Sequence, residues 1–168
     1  MSAPLTSADR AFLAQAVDLS RESLEAEGLT PFAALIVRGG EVVGVGKSRV
    51  VELCDPTAHA EVMAIRDASS RLGRHLLDDT VMYASSEPCP MCLAACYWAQ
   101  VPKLVFGAST RDVAVNGFED LQLYRELAHP TRERQLEEVQ GDEALSTAAR
   151  SVLETWAAAL PEPVVPKL

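Results

Sequence analysis

The chain has 168 residues, of which 48% are apolar, enough for one well-packed domain and too few for two. Its net charge of −9 repels phosphate backbones, which disfavours nucleic acid as a partner and favours a small molecule. No window approaches the roughly 20 apolar residues of a membrane span, and the N-terminus lacks a signal-peptide pattern, so we expect a cytoplasmic protein with no membrane partner.

Helical periodicity and short β-prone runs alternate along the first two thirds of the chain. The predicted elements are a helix from Thr6 or Ser7 to Gly28, a hairpin of 31–37 and 41–45 around Gly39 and Gly40, a helix over 58–72, a strand over 80–84, a helix over 90–100 and a strand over 103–107. Alternating strands and helices predict an α/β layered fold with helices on both faces of the sheet.

The pattern is weaker after the last of these strands. Residues 118–127 fit a helix, whereas residues 134–140 fit either a strand or an irregular segment. Residues 142–160 again show helical spacing, with Val152 and Trp156 on one apolar face. We therefore expect one more packed helix near the C-terminus.

The last eight residues, 161–168, contain three prolines. Proline-rich segments favour extended backbone, so this stretch is predicted to be a tail or an arm on a neighbouring subunit. The sequence as a whole then predicts a single domain over residues 1–160 followed by a proline-rich tail over residues 161–168.

Three residues have the side chains and spacing of a zinc site. A catalytic zinc binds three imidazole or thiolate ligands and keeps one position open, and His59, Cys89 and Cys92 supply that set. A Cys-x-x-Cys pair in a chain without an export signal indicates metal or redox chemistry rather than a disulfide. Both cysteines fall at the start of the helix over 90–100, where free amides favour thiolates. We predict that Zn²⁺ joins two helix N-termini.

Glu61 follows His59 by two residues, and near a helix start both side chains can point into one cleft. Zinc lowers the pKa of a bound water from about 15.7 toward about 7, and a neighbouring carboxylate can take that proton and deliver it onward. Hydroxide would then attack an amidine-like ring carbon, and Glu61 would protonate the ring nitrogen and later the departing amine. The combination of His-x-Glu with Pro-Cys-x-x-Cys is the signature of nucleobase deaminases. We therefore predict a hydrolase with Glu61 as its catalytic residue.

A non-catalytic, zinc-stabilised binding module is the alternative. In that case Cys54 or Cys96 would be a fourth zinc ligand and Glu61 would have no role. Cys96 lies one helical turn after Cys92 in an apolar run, where a free cysteine usually acts as a small buried hydrophobe. Replacing Glu61 distinguishes the two hypotheses, because only the enzyme needs an acid beside the metal.

Residues 57–66 (TAHAEVMAIR) and 86–93 (SEPCPMCL) closely resemble the cytidine deaminase-like superfamily. Residues 117–120 (GFED) and 124–126 (YRE) are similar to the bacterial guanine deaminases of that superfamily. The resemblance implies a three-layer α/β/α sandwich with a mixed five-stranded sheet, a bound zinc ion, and a homodimer that exchanges C-terminal segments. It also implies an enzyme of purine metabolism that converts guanine to xanthine and ammonia.

The same resemblance implies the substrate-binding residues. Asp120 would accept hydrogen bonds from the base, although it could equally cap a helix, and Phe32 would form a hydrophobic wall, although it could be a plain core residue. The backbone amide of Ala60 would be an oxyanion-type donor. Ser48 stands where the family usually carries asparagine, and its shorter side chain reaches less far. Cytosine, a nucleoside such as guanosine or cytidine, or an aminotriazine therefore remain alternative substrates.

Overall fold

A mixed β-sheet lies at the centre of residues 1–128 in the computed structural model, which describes residues 4–25 and 30–165. Its strands are β1 (Ala33–Arg38), β2 (Glu41–Lys47), β3 (Val81–Ser86) and β4 (Lys103–Ala108). They are ordered β2-β1-β3-β4 across the sheet. Strand β1 pairs antiparallel with β2 and with β3, and β3 pairs parallel with β4, so the predicted mixed sheet is confirmed.

The helices of the described residues follow the predicted order and add two short ones. They are α1 (Ser7–Glu22), α2 (Val50–Leu53), α3 (Ala60–Leu72), α4 (Pro90–Trp98), α5 (Thr110–Val115), α6 (Asp120–Ala128) and α7 (Glu143–Ala158). The sequence did not predict α2 or α5. Helix α1 ends earlier than expected, and its predicted stop, Gly28, lies outside the described residues.

Helices cover both faces of the sheet. Because successive strand residues point to opposite sides, neighbouring residues of β1 belong to different cores. Leu35 packs in one core with Ala16 of α1. Ile36 packs in the other core with Ala64 of α3 and Cys96 of α4. The α/β layered fold predicted from the sequence, with helices on both faces of the sheet, is therefore confirmed.

The number of strands differs from the expectation. The resemblance implied five strands, but the described residues form a four-stranded sheet, so that part of the prediction was wrong. Residues 134–140, the segment that also fitted a strand, are irregular. Arg134 Nη1 lies 2.9 Å from Glu138 Oε1. The chain bends over residues 134–136, as a continuous strand would not.

Strand β2 lies directly against α3. A Cβ atom on Gly46 would come within 2.0 Å of the Ala60 carbonyl oxygen, and one on Gly44 within 2.5 Å of the Ala64 carbonyl oxygen. Only glycine permits such a close approach of two backbones. The first turn of α3 is thereby held beside the end of β2, next to Ser48.

The unit formed by residues 129–168 contains α7. Asp142 caps this helix by accepting a hydrogen bond from the Leu145 amide at 2.9 Å. Its predicted apolar face is present but open to solvent, since Val152 is 67% exposed and Trp156 is 61% exposed. A packed helix needs a partner for such a face, and the single chain leaves these side chains uncovered.

The predicted tail has no regular structure over residues 161–165, and residues 166–168 lie outside the described residues. The single domain over residues 1–160 stays a prediction. Each helix of the described residues is too short or too polar to span a membrane.

Candidate active site

The first residues of α3 and α4 meet and bring three metal-ligating side chains together. His59 is the N-cap of α3, Cys89 is the N-cap of α4, and Cys92 lies in the first turn of α4. One ligand atom from each lies within 4.8 Å of the others, and Cys89 Sγ is 3.6 Å from His59 Nδ1. A nitrogen at about 2.05 Å and a sulfur at about 2.3 Å from a tetrahedral zinc are also about 3.6 Å apart. The donor set therefore fits zinc with one position left open.

The two other cysteines lie outside this group of ligand atoms. Cys96 is buried and its sulfur contacts that of Met82 at 3.5 Å, as expected for a small core residue. Cys54 is exposed at the end of α2. Within the part of the chain that the structure describes, the metal group thus has three members, and a closed site with a fourth cysteine has no support.

Hydrogen bonds within the ligand group favour a thiolate. The bond from the Cys92 thiol is the largest cause that lowers the pKa of Cys89 to about 4, and the bond to His59 lowers it further. The same thiol–thiolate bond raises the pKa of Cys92, and the contact with Cys89 raises the pKa of His59. Zinc requires both cysteines as thiolates, so metal binding would displace the proton that the pair shares.

Glu61 lies in the first turn of α3, directly beside this group, and is only 6% exposed. Burial raises the pKa of its carboxyl group, because desolvation disfavours the charged form. A buried carboxyl group with a raised pKa holds a proton more readily than an exposed one, which suits a group that accepts and then releases a proton. The position and environment of Glu61 suit a proton carrier.

A cavity of about 200 Å³ opens beside the metal group. Seven of the eight site residues predicted from the sequence line it, and the eighth, Cys92, belongs to the adjoining metal group. The predicted lining residues are Phe32, Ser48, His59, Ala60, Glu61, Cys89 and Asp120. The sequence did not identify the other lining residues, which are Thr30, Val50, Val51, Phe118 and Glu119.

Two phenylalanines form an aromatic wall of the cavity. The ring centroids of Phe32 and Phe118 are 4.8 Å apart, and the rings meet edge to face at 76°. Phe32 also packs against the core beside α3, so its two predicted roles are compatible. Phe118 lies inside the stretch 117–120 that carried the family resemblance, and that stretch was the signal that could have identified it.

Three further polar groups line the cavity, two at the starts of helices and one at the end of a strand. Asp120 is the first residue of α6, and burial is the main cause that raises the pKa of its carboxyl group, followed by the charge of Cys89. Ser48 is buried directly after β2, where its amide donates to the Phe32 carbonyl at 3.1 Å. Ala60 is the first residue of α3, and an amide at that position has no acceptor within its own helix.

Comparison with known families agrees with this geometry. The model of the cytidine and deoxycytidylate deaminase zinc-binding region matches residues 6–108. The chain belongs to this family of zinc-binding deaminases. The deaminase is therefore a zinc-dependent hydrolase that acts on a C–N bond.

Individual relatives extend the comparison. The deaminase is 46% identical over 123 residues to the guanine deaminase of Bacillus subtilis (strain 168). The aligned residues cover 73% of this chain and 79% of that protein. The X-ray structure of guanine deaminase from Bacillus subtilis superposes with a TM-score of 0.85 and 38% identity, covering 95% of this chain and 99% of that one. NE0047 in complex with 2,6-diaminopurine superposes with a TM-score of 0.65 and 31% identity, covering 70% and 65%.

A relative of different specificity is also similar. The tRNA-specific adenosine deaminase of Buchnera aphidicola subsp. Schizaphis graminum (strain Sg) is 36% identical over 94 residues, which are 56% of this chain and 62% of that protein. The deaminase thus shares its zinc-binding region with proteins that act on quite different bases.

Proposed function

We propose that this deaminase converts guanine and water into xanthine and ammonia. The observation that carries the proposal is the cavity of about 200 Å³, in which Glu61 and Asp120 lie together with the metal ligands. Pockets for drug-sized ligands occupy about 300–1,000 Å³, so this cavity suits a single heterocyclic base. The similarity to the guanine deaminase of Bacillus subtilis supports the same substrate.

The lining supplies contacts for both the faces and the edge of a purine. Phe32 and Phe118 offer an apolar surface for the flat ring. The Asp120 carboxylate accepts hydrogen bonds from ring N–H groups, and charge-assisted bonds of this kind are stronger than neutral ones. The Ser48 hydroxyl and the Ala60 amide can bond to oxygen or nitrogen on the base. Together these groups would hold the carbon that bears the 2-amino group beside the metal ligands.

The reaction needs two proton transfers. His59, Cys89 and Cys92 would hold the zinc ion, which lowers the pKa of water and supplies a nucleophile at neutral pH. The oxygen of the water attacks C2 of the ring while Glu61 takes a proton from that water. Glu61 then transfers this proton to the ring nitrogen. The bond between C2 and the exocyclic nitrogen then breaks, and Glu61 passes a second proton from the added oxygen to the departing amine. One water is consumed and one ammonia is released.

A small molecule suits this chain better than a nucleic acid. The net charge of −9 opposes binding of a polyanion such as tRNA. The proposed zinc site also depends on reduced cysteines, and the cytoplasm keeps thiols reduced. We therefore place the reaction in the cytoplasm with a free base as its substrate.

We also propose that the deaminase is a homodimer with exchanged C-terminal segments. The apolar face of α7, which includes Val152 and Trp156, is exposed within one chain. A second chain that buries this face would remove a large apolar area from water. Light scattering on purified protein should give twice the chain mass, and Trp156→Glu should shift it toward the monomer. A monomeric wild-type protein would exclude the dimer.

Ammonia release by the zinc-loaded protein tests the substrate. Guanine, guanosine, cytosine, adenine and an aminotriazine are compared, with xanthine identified by chromatography. Turnover of guanine, together with a raised KM in Asp120→Asn, is the expected result. Turnover of a different ring would keep the chemistry but reject guanine, and no turnover of any of them would favour the binding module.

A further inference from the structure

Two residues directly before the metal ligand Cys89 are hydrogen-bonded to the segment formed by α5 and α6. The hydroxyl group of Tyr124, in α6, donates to the carbonyl oxygen of Pro88 at 2.8 Å. The carboxylate of Glu87 accepts the amide N–H of Thr110, the first residue of α5, at 2.7 Å. The segment is therefore attached at both of its helices to the chain that leads into the metal site.

This segment carries one wall of the cavity. Phe118, Glu119 and Asp120 line the cavity and lie between the two attached residues in the sequence. Asp120 and Tyr124 are four residues apart in α6, so they lie on the same helix face, one turn apart. A contact that fixes Tyr124 consequently fixes the direction in which α6 presents Asp120.

We propose that Tyr124 is a positioning residue for the substrate: through its hydrogen bond to the Pro88 carbonyl it sets the position of the Asp120 carboxylate relative to the metal ligand Cys89. This inference rests on the role proposed for Asp120. Glu87 is the second attachment point of the same wall.

The surroundings of the contact favour this role. Pro88 is almost completely buried, so water competes little for its carbonyl oxygen. Desolvation, followed by the charge of Glu87, raises the pKa of Tyr124 to about 12, and its hydroxyl group keeps the donated proton at every working pH. Cys89 has separate support, because its carbonyl oxygen accepts the Leu93 amide at 2.9 Å in the first turn of α4. Loss of the Tyr124 hydroxyl should therefore move the wall and leave the metal site in place.

A double-mutant cycle on the full-length, zinc-loaded protein tests whether Tyr124 acts through Asp120. Tyr124→Phe removes one hydroxyl group and keeps the ring. We expect kcat/KM for guanine to fall about tenfold, mostly through KM, because a charged hydrogen bond to substrate is misaligned. In the Asp120→Asn background the same substitution should have almost no further effect, since residues that act as a unit are not additive. Equal effects in both backgrounds would overturn the proposal.

Hydrogen exchange supplies a readout that does not depend on the substrate. In Tyr124→Phe the amides of residues 116–124 should exchange faster than in the wild type, whereas those of residues 90–98 and the zinc content should not change. Tyr83→Phe is the matched control, because it also removes a 2.8 Å hydroxyl hydrogen bond, to Asp9 on the opposite face of the sheet. That control should lower the melting temperature without changing KM or exchange in residues 116–124.

The two readouts separate this inference from the proposed function. If the wild type does not hydrolyse guanine, the proposed function fails, and the exchange result alone decides whether Tyr124 holds the wall. Unchanged exchange in Tyr124→Phe would overturn the inference even in a protein that hydrolyses guanine efficiently. A loss of zinc from Tyr124→Phe would also overturn it, because the hydroxyl would then support the metal site.

Discussion

The carboxylate of Asp9 and the ammonium group of Lys103 lie 2.6 Å apart, although 94 residues separate them in the sequence. The same oxygen of Asp9 accepts the Tyr83 hydroxyl at 2.8 Å, and its other oxygen accepts the Thr6 amide at 3.0 Å. Asp9 is buried in the first turn of α1, where a negative charge is favoured by the helix dipole. This carboxylate therefore attaches α1 to two strands of the sheet.

The attachment predicts a loss of stability in acid. The hydrogen bond from Lys103 is the main cause that lowers the pKa of Asp9 well below its usual range. A carboxyl group with a lowered folded-state pKa stabilises the fold above its unfolded pKa of about 3.9, and this contribution is lost as the pH falls through the folded-state value. Melting temperatures measured from pH 7 to pH 2 should fall less steeply below about pH 4 in Asp9→Asn than in the wild type, starting from a lower value at pH 7. Glu41→Gln, an exposed control, should follow the wild type. Parallel curves for wild type and Asp9→Asn would contradict the assignment.

Glu61→Gln should strongly reduce turnover while leaving the fold and the metal intact. Positioned general acids and bases contribute about 10²–10⁴-fold to rate, so kcat should fall by that factor. Glutamine has nearly the same shape but cannot carry the proton. Ammonia release, zinc content by elemental analysis and melting temperature are measured together, with the exposed Glu52→Gln as control. If Glu61→Gln lost its zinc or unfolded, the binding-module hypothesis would gain support.

The three-ligand site predicts different outcomes for two cysteine substitutions. Cys92→Ser removes a thiolate from the metal group, so zinc content should fall well below one per chain and turnover should be lost. Cys54→Ser removes an exposed thiol outside the group and should retain both. Chelation of the wild type should mimic Cys92→Ser, with recovery after zinc is restored. Zinc loss in Cys54→Ser would point to a four-ligand site.

Gly46→Ala should destabilise the contact between β2 and α3. The added Cβ would lie 2.0 Å from the Ala60 carbonyl oxygen and 2.4 Å from the Ala64 amide nitrogen, and both are backbone atoms that cannot move aside alone. Overpacking typically costs about 1–3 kcal/mol, and a backbone clash lies at the upper end. Urea unfolding should give a clearly lower midpoint, whereas Gly141→Ala, whose nearest neighbour is 3.4 Å away, should unfold near the wild-type midpoint. A wild-type midpoint for Gly46→Ala would refute the close packing.

The grouping of His59, Cys89 and Cys92, with Glu61 beside them, could be predicted because each motif is local. His59 and Glu61 are two residues apart. Cys89 and Cys92 are three residues apart at the start of one helix, so a single helical turn brings both toward one ion, and their spacing alone indicates a shared ion. The order of strands and helices was equally readable from periodicity. Helix α5 was missed even though Ser109 and Asp112 form its capping box, a signal that the sequence does contain.

The rest of the site depends on long-range packing that no local pattern encodes. Val50 and Val51 line the cavity from the four-residue helix α2, which is too short to give a periodic signal. The contact between Tyr124 and Pro88 joins residues 36 positions apart. The fifth strand was expected because of family resemblance alone, and the sheet of the described residues has four strands.

Part of the cavity lining proposed to hold the base comes from a later part of the chain than the metal-binding group. The groups that would bind metal and carry protons begin α3 and α4, while Phe118 and Asp120 come from the later segment of α5 and α6. Substitutions in the segment of α5 and α6 could therefore alter which ring is bound without disturbing the metal ligands or Glu61. That part of the lining is a place where selectivity for the ring can change while the metal-binding residues stay the same.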